Sequence, residues 1–164
     1  MNGVLAHLRN LAVIGVLMAT AACGGTTGSS TPATATAAPT PTVAPFIASR
    51  TATVAGATKT VLTDLTGNTL YYETNDVGGK ILCTAACAVA WPPFIAPAGL
   101  TTLPAVSGIP GKFGTAQNPD SKNQVTYNGW PLYGYAKDKA PGDTTGEGVG
   151  GRWHVAATDL VAGA

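Results

Sequence analysis

The chain has 164 residues and a mass of 16.3 kDa, which sets an expectation of one domain plus any targeting or linker segment. Charged residues make up 10% of it, 9 Lys+Arg against 8 Asp+Glu, so it offers no electrostatic footprint to nucleic acid or to anionic lipid headgroups. Every aromatic residue lies at or beyond Phe46, so the front quarter cannot build a core, and the rest of the chain suffices for one small globular unit.

The first segment reads as an address. Arg9 and His7 precede an uncharged apolar run from Leu11 to Ala22, too short for the roughly 20 residues a membrane-spanning helix needs but suited to a secretory signal. The run ends in Thr20-Ala21-Ala22-Cys23-Gly24, which resembles a bacterial lipobox, with Thr20 where Leu is usual. This predicts a signal peptide over 1–22 and a lipidated Cys23. Ala19-Thr20-Ala21 also satisfies the A-x-A rule of ordinary signal cleavage, and an uncleaved anchor is a third reading. Acyl chains on Cys23 would hold the protein firmly, at about 0.8 kcal/mol per buried CH₂.

Residues 23–45 continue as a stalk. Gly24 to Pro45 holds 7 Thr, 5 Ala and 4 Pro, no charge and a single Val, so it cannot bury enough apolar area to offset its ordering entropy. Extended as polyproline II it would reach about 70 Å, at ~3.1 Å per residue. The layout is that of a protein exported and tied by lipid to the outer face of a bacterial cytoplasmic membrane or cell envelope. Lipidation of Cys23 would leave the even pair Cys83 and Cys87. Cleavage would also remove Arg9, leaving 8 basic against 8 acidic residues and a neutral mature protein.

From Phe46 to Ala164 the expectation is one all-β, mainly antiparallel domain. Ala57 to Asp64 and Thr69 to Asn75 are β-branched and aromatic runs joined at Gly67-Asn68. Thr84 to Trp91 is Ala-rich and stopped by Pro92-Pro93, which predicts one short helix over 84–91. Ile95 to Pro110 reads as loop. Gln124 to Tyr127 and Leu132 to Ala136 flank Asn128-Gly129, a strong hairpin signal because both turn positions tolerate positive φ. Pro131 cannot donate to a ladder, which puts the start of its strand at an edge.

The domain repeats itself. At a shift of 62 residues Gly67 matches Gly129, Leu70 matches Leu132, Tyr71 matches Tyr133, Asp76 matches Asp138 and Trp91 matches Trp153. We read two duplicated hairpin-based units, about 58–93 and 120–155. On these residues, with Cys83-x-x-x-Cys87-Ala88 and Trp91-Pro92-Pro93, the chain resembles bacterial secreted-repeat lipoproteins defined by a Y-x-(F/W/Y)-x-x-D motif. Tyr133-Gly134-Tyr135-Ala136-Lys137-Asp138 fits that motif in full, whereas the first unit has Glu73 at the aromatic third position. Pro141-Gly142-Asp143-Thr144 and Trp153-His154-Val155 look like the usual tail. The resemblance implies a tandem repeat on exported lipoproteins and no particular reaction.

Candidate chemistry is sparse. Cys83 and Cys87 at i, i+4 would share one helix face about 6 Å apart, and in an oxidising compartment a disulfide is the default. The alternative is copper or thiol redox work, since Cys-x-x-x-Cys with a distant His resembles the ligand set of Sco-type copper chaperones and His154 is the single His of the mature chain. Asp76 and Asp138 invite a paired-carboxylate reading, against which stands the structural role of an Asp capping a turn after a strand. Tyr71, Tyr133, Tyr135, Trp91, Trp130 and Trp153 read as core, or as a glycan-binding surface if exposed together. Gly146-x-Gly148-x-x-Gly151 matches a dinucleotide fingerprint but runs into a strand, so it reads as a Gly-rich loop. The leading expectation is a non-enzymatic envelope module without cofactor, attached to the membrane through its lipid and free to engage a glycan or protein partner.

Overall fold

The computed structural model describes residues 44–100 and 102–163, so the signal peptide, Cys23 and the stalk up to residue 43 lie outside the described residues. What is described belongs to one compact unit, Thr40–Ala164. Its strands are short and antiparallel. β1 (Ala48–Val54) pairs with β2 (Ala57–Thr63) along its whole length through a two-residue turn at Ala55-Gly56, both at positive φ. β4 (Phe113–Gln117), β5 (Asn123–Tyr127) and β6 (Trp130–Pro131) form a three-stranded sheet in that order. The β5–β6 turn is Asn128-Gly129, at φ 49° and 86°, and Pro131 lies on the sheet's edge strand, where its missing N–H costs no ladder bond.

The third pair joins distant parts of the chain. β3 (Tyr71–Glu73) pairs with β7 (Trp153–Val155), Tyr71 opposite Val155 and Glu73 opposite Trp153. The expected hairpin between 57–64 and 69–75 is present only as a bridge, Thr63 to Thr69, with Leu70 N–H donating to Leu62 O at 2.9 Å. Beyond it, β3 is drawn to β7 because Tyr71 and Glu73 point into the interior with Trp153 and Val155. In the second unit, Leu132 to Ala136 likewise leaves its hairpin for a distant partner. Tyr133 bridges Pro93, Gly134 N–H donates to Pro92 O at 2.8 Å, and Ala136 N–H donates to Ala90 O at 2.9 Å.

These two ladders are the same ladder. Thr74 N–H to Arg152 O becomes Ala136 N–H to Ala90 O, and Ala156 N–H to Leu70 O becomes Phe94 N–H to Leu132 O, each at the shift of 62. The motif strand of each unit therefore pairs with the Trp segment of the other. Between them Tyr71 and Tyr133 exchange both backbone bonds, at 2.8 and 2.9 Å, which marks the local two-fold axis.

The short helix α1 (Ala86–Ala90) falls inside the Ala-rich run, and Trp91 caps it by donating its N–H to Cys87 O. Two core clusters result. One gathers Leu62, Leu70, Val125, Tyr127 and Leu132 between the β2 and β5 hairpins. The other gathers Tyr71, Tyr133, Trp91, Trp153 and Cys83 around the axis.

Candidate functional site

The polar groups of the repeat motif meet at the axis, because the crossed ladders carry each Tyr toward the other unit's Asp. Tyr71 donates its hydroxyl to Asp138 Oδ2 at 2.7 Å, and Tyr133 donates its own to Asp76 Oδ2. Each carboxylate has a second partner on its own unit. Asp76 Oδ1 accepts the Leu82 N–H at 3.0 Å, and Asp138 Oδ1 accepts the Thr145 N–H and hydroxyl. Asp76 is fully buried; burial pushes its carboxyl above the usual range, against the Tyr133 hydroxyl and the Leu82 N–H. Burial, with the Asp acceptor next, raises both Tyr71 and Tyr133 far above the ordinary phenol value. The two aspartates are thus not brought together as an acid–base pair; each closes a loop of its own unit and takes the other unit's tyrosine.

The aromatic residues at the axis form one stack. Trp91 lies between Trp153, centroids 3.9 Å apart, and Tyr135, 4.0 Å away. Tyr71 meets Trp91 edge-on at 5.5 Å, and Tyr133 meets Trp153 edge-on at 5.1 Å. Where the second unit has Tyr135 the first has Glu73, whose carboxylate takes Asn75 and lies 3.5 Å from Arg152 Nε. Burial and the neighbouring Asp76 charge raise the Glu73 carboxyl. The remaining matched residues serve geometry: Leu70 and Leu132 are buried, and Gly67 and Gly129 both turn at positive φ. Of the six aromatic candidates, Tyr71, Tyr133, Trp91 and Trp153 are buried, and Tyr135 and Trp130 half-buried.

Cys83 and Cys87 form a disulfide, Cα to Cα 5.2 Å, that ties α1 to the segment before it. Both sulfurs are therefore bonded to each other rather than free as thiolates, the form in which Cys binds a metal. His154 is not brought to them. Trp153 packs in the cluster that contains Cys83, and His154, the next residue on β7, points to the opposite face. There His154 Nδ1 and Glu147 Oε1 are 2.8 Å apart, while Glu147 Oε2 accepts the Val155 N–H at 2.8 Å. The alternative copper set of Cys83, Cys87 and His154 is thus not assembled, and among the described residues no group of three His, Cys, Asp or Glu is placed to hold a metal ion. The Gly146–Gly151 stretch is a loop ending in a 3₁₀ turn (Val149–Gly151) directly before β7, the reverse of a strand-to-helix phosphate site.

Residues 114–157 match the family model of a secreted repeat of unknown function. The resemblance to the secreted-repeat lipoproteins stands. The matched span runs from β4 through β7 and takes in the whole second unit, which carries the Y-x-(F/W/Y)-x-x-D motif in full, and a secreted repeat implies export. No curated protein and no solved structure matches the chain.

The outward side of the β3–β7 ladder holds residues outside the repeat pattern. Tyr72 stands opposite His154, their rings 5.8 Å apart, and its other neighbour is Trp130 at 5.1 Å. Two depressions, about 270 and 240 Å³, meet at Tyr72 and Lys59. The sequence does not single out Tyr72, because it lies beside the motif tyrosine and its counterpart in the second unit is Gly134. A larger depression of about 290 Å³, on the matching side of the second ladder, runs between Asn68, Phe94 and Tyr135.

Proposed function

We propose that the chain is a lipid-anchored, non-enzymatic module of the cell envelope, a β domain carried on the Thr/Pro-rich stalk from an acylated Cys23. The observation that carries this reading is where the motif's functional groups go. The hydroxyls of Tyr71 and Tyr133 and the carboxylates of Asp76 and Asp138 are bonded to one another inside the domain, so the repeated signature serves to interlock two units. What is left for an outside partner is the outward surface of the ladders. The anchor is argued from the Ala21-Ala22-Cys23 sequence and from the family's secreted character. The partner would be a glycan or protein of the envelope, with the membrane engaged only through lipid.

Mass spectrometry of the mature N-terminal peptide tests this. The expected result is acylated Cys23 in the membrane fraction, released to the medium by Cys23→Ala with the domain intact. Unprocessed, unacylated chain in the cell interior would overturn the reading.

A further inference from the structure

The two matched ladders act as an internal control on which side chains the fold requires. In the first, Tyr72 stands opposite His154. In the second, the same two places hold Gly134 and Pro92, joined by the 2.8 Å backbone bond. Glu147, which holds His154, corresponds at the same shift to Ala85. A ladder with no side chain, a proline ring and a methyl group at these places still forms, short only of the bond for which Pro92 has no N–H. Tyr72 and His154 are therefore dispensable to the ladder, whereas Glu147 also accepts the Val155 N–H, for which Pro93 at the matched place has no equivalent, and in the first ladder the three are built into one face.

That face has a definite chemistry. The Tyr72 ring supplies an apolar surface, flanked by Trp130, and the polar groups around it are Lys59, His154 and Glu147 on one side and Lys59 and Asp159 on the other. Each depression is a little below the ~300 Å³ at which small-molecule sites begin, and the two adjoin, so the shape suits a short chain of compact units. A pyranose ring presents one apolar C–H face and a girdle of hydroxyls, which an aromatic surface rimmed by carboxylates and an amine complements. Two carboxylates against one ammonium disfavour an acidic sugar. We propose that the Tyr72 face binds a neutral oligosaccharide, one ring packed on Tyr72 and its hydroxyls held by Glu147, His154 and Asp159. This rests on the reading of the chain as a binding module and names its ligand class.

The test is titration of the ¹⁵N-labelled mature chain, followed by amide shifts, with neutral tetrasaccharides of β-linked glucose, mannose, galactose and N-acetylglucosamine, and with galacturonate and sulfated tetrasaccharides. At least one neutral oligomer should saturate with shifts centred on Tyr72 and His154. Tyr72→Ala should weaken it at least about tenfold and Tyr72→Phe less than about threefold, with Asn68→Ala in the other groove without effect. Should Tyr72→Ala fail to fold, Glu147→Gln with Asp159→Asn must show the same loss. Absence of neutral binding, tighter binding of the acidic oligomers, or binding indifferent to these substitutions would overturn the proposal. Cleavage of a bound neutral oligomer would end the non-enzymatic reading while supporting the site, and an acylated, inert protein that binds none would end the site alone.

Discussion

Trp91 and Trp153 lie face to face with centroids 3.9 Å apart and planes 2° from parallel. They occupy matched positions in the two units, so the stack sits where the units join. The stack is held by the crossed ladders and by an edge-on tyrosine at each ring. Substituting either by Ala should cost about 3–5 kcal/mol, the range for a large buried aromatic. Trp91→Ala should cost more, since it also strips Tyr135 of its partner. Denaturant unfolding of the two variants gives the comparison.

The buried carboxylates set a pH dependence. Glu73 and Asp76 are both raised in the folded state, so between the unfolded carboxylate values of about 4 and their folded values the native state holds more protons than the unfolded one. Their contribution is then greatest in mild acid and declines as pH rises through that window. Asp64 acts oppositely: burial pushes it up, but the bonds from Thr66 and Asn68 outweigh this and lower it, so its contribution is lost only as pH falls below about 4. Melting temperature from pH 4 to 7 should fall more steeply for the parent than for Asp76→Asn.

The matched glycines separate conformation from crowding. Gly129 turns at φ 86° and a Cβ there would meet its nearest neighbour, Gly163 O, at an ordinary 3.7 Å. Gly67 turns at φ 92° and a Cβ would come within 3.0 Å of Pro141 Cβ. Gly129→Ala should therefore cost about 1–2 kcal/mol, the left-handed penalty alone, and Gly67→Ala more. Thermal or denaturant melts read the difference.

The repeat is legible in the sequence because Tyr and Trp are rare enough for a constant spacing to stand out, and the Asn128-Gly129 hairpin because its turn chemistry is local. β1 and β4 are not. Arg50, Thr51 and Thr53 face solvent on β1, and β4 is half-buried along most of its length, so neither shows an alternating apolar pattern. The crossing of the ladders is equally hidden. Tyr71 and Asp138 are 67 residues apart, and nothing local to either names the other as its partner. The repeat separates Tyr71, matched by Tyr133, from Tyr72, matched by Gly134, but it leaves unsaid what the outward face of β3 meets.

The cystine closes a small loop, so its contribution should be modest. In the chain-entropy model a loop of this size stabilises by about 2 kcal/mol. Alkylation under native conditions without reductant should leave Cys83 and Cys87 unlabelled, and reduction should lower the melting temperature without abolishing folding. Peptide mapping of the alkylated protein checks the first part and calorimetry the second.

The central claim, that the repeat signature locks one unit to the other, is tested most directly by double-mutant cycles on its tyrosines and aspartates. Tyr133→Phe with Asp76→Asn, and Tyr71→Phe with Asp138→Asn, should each show a coupling of about 0.5–3 kcal/mol, whereas Tyr133→Phe with Asp138→Asn should be nearly additive. Coupling within each unit, Tyr71 to Asp76 and Tyr133 to Asp138, with none across them, would contradict the account.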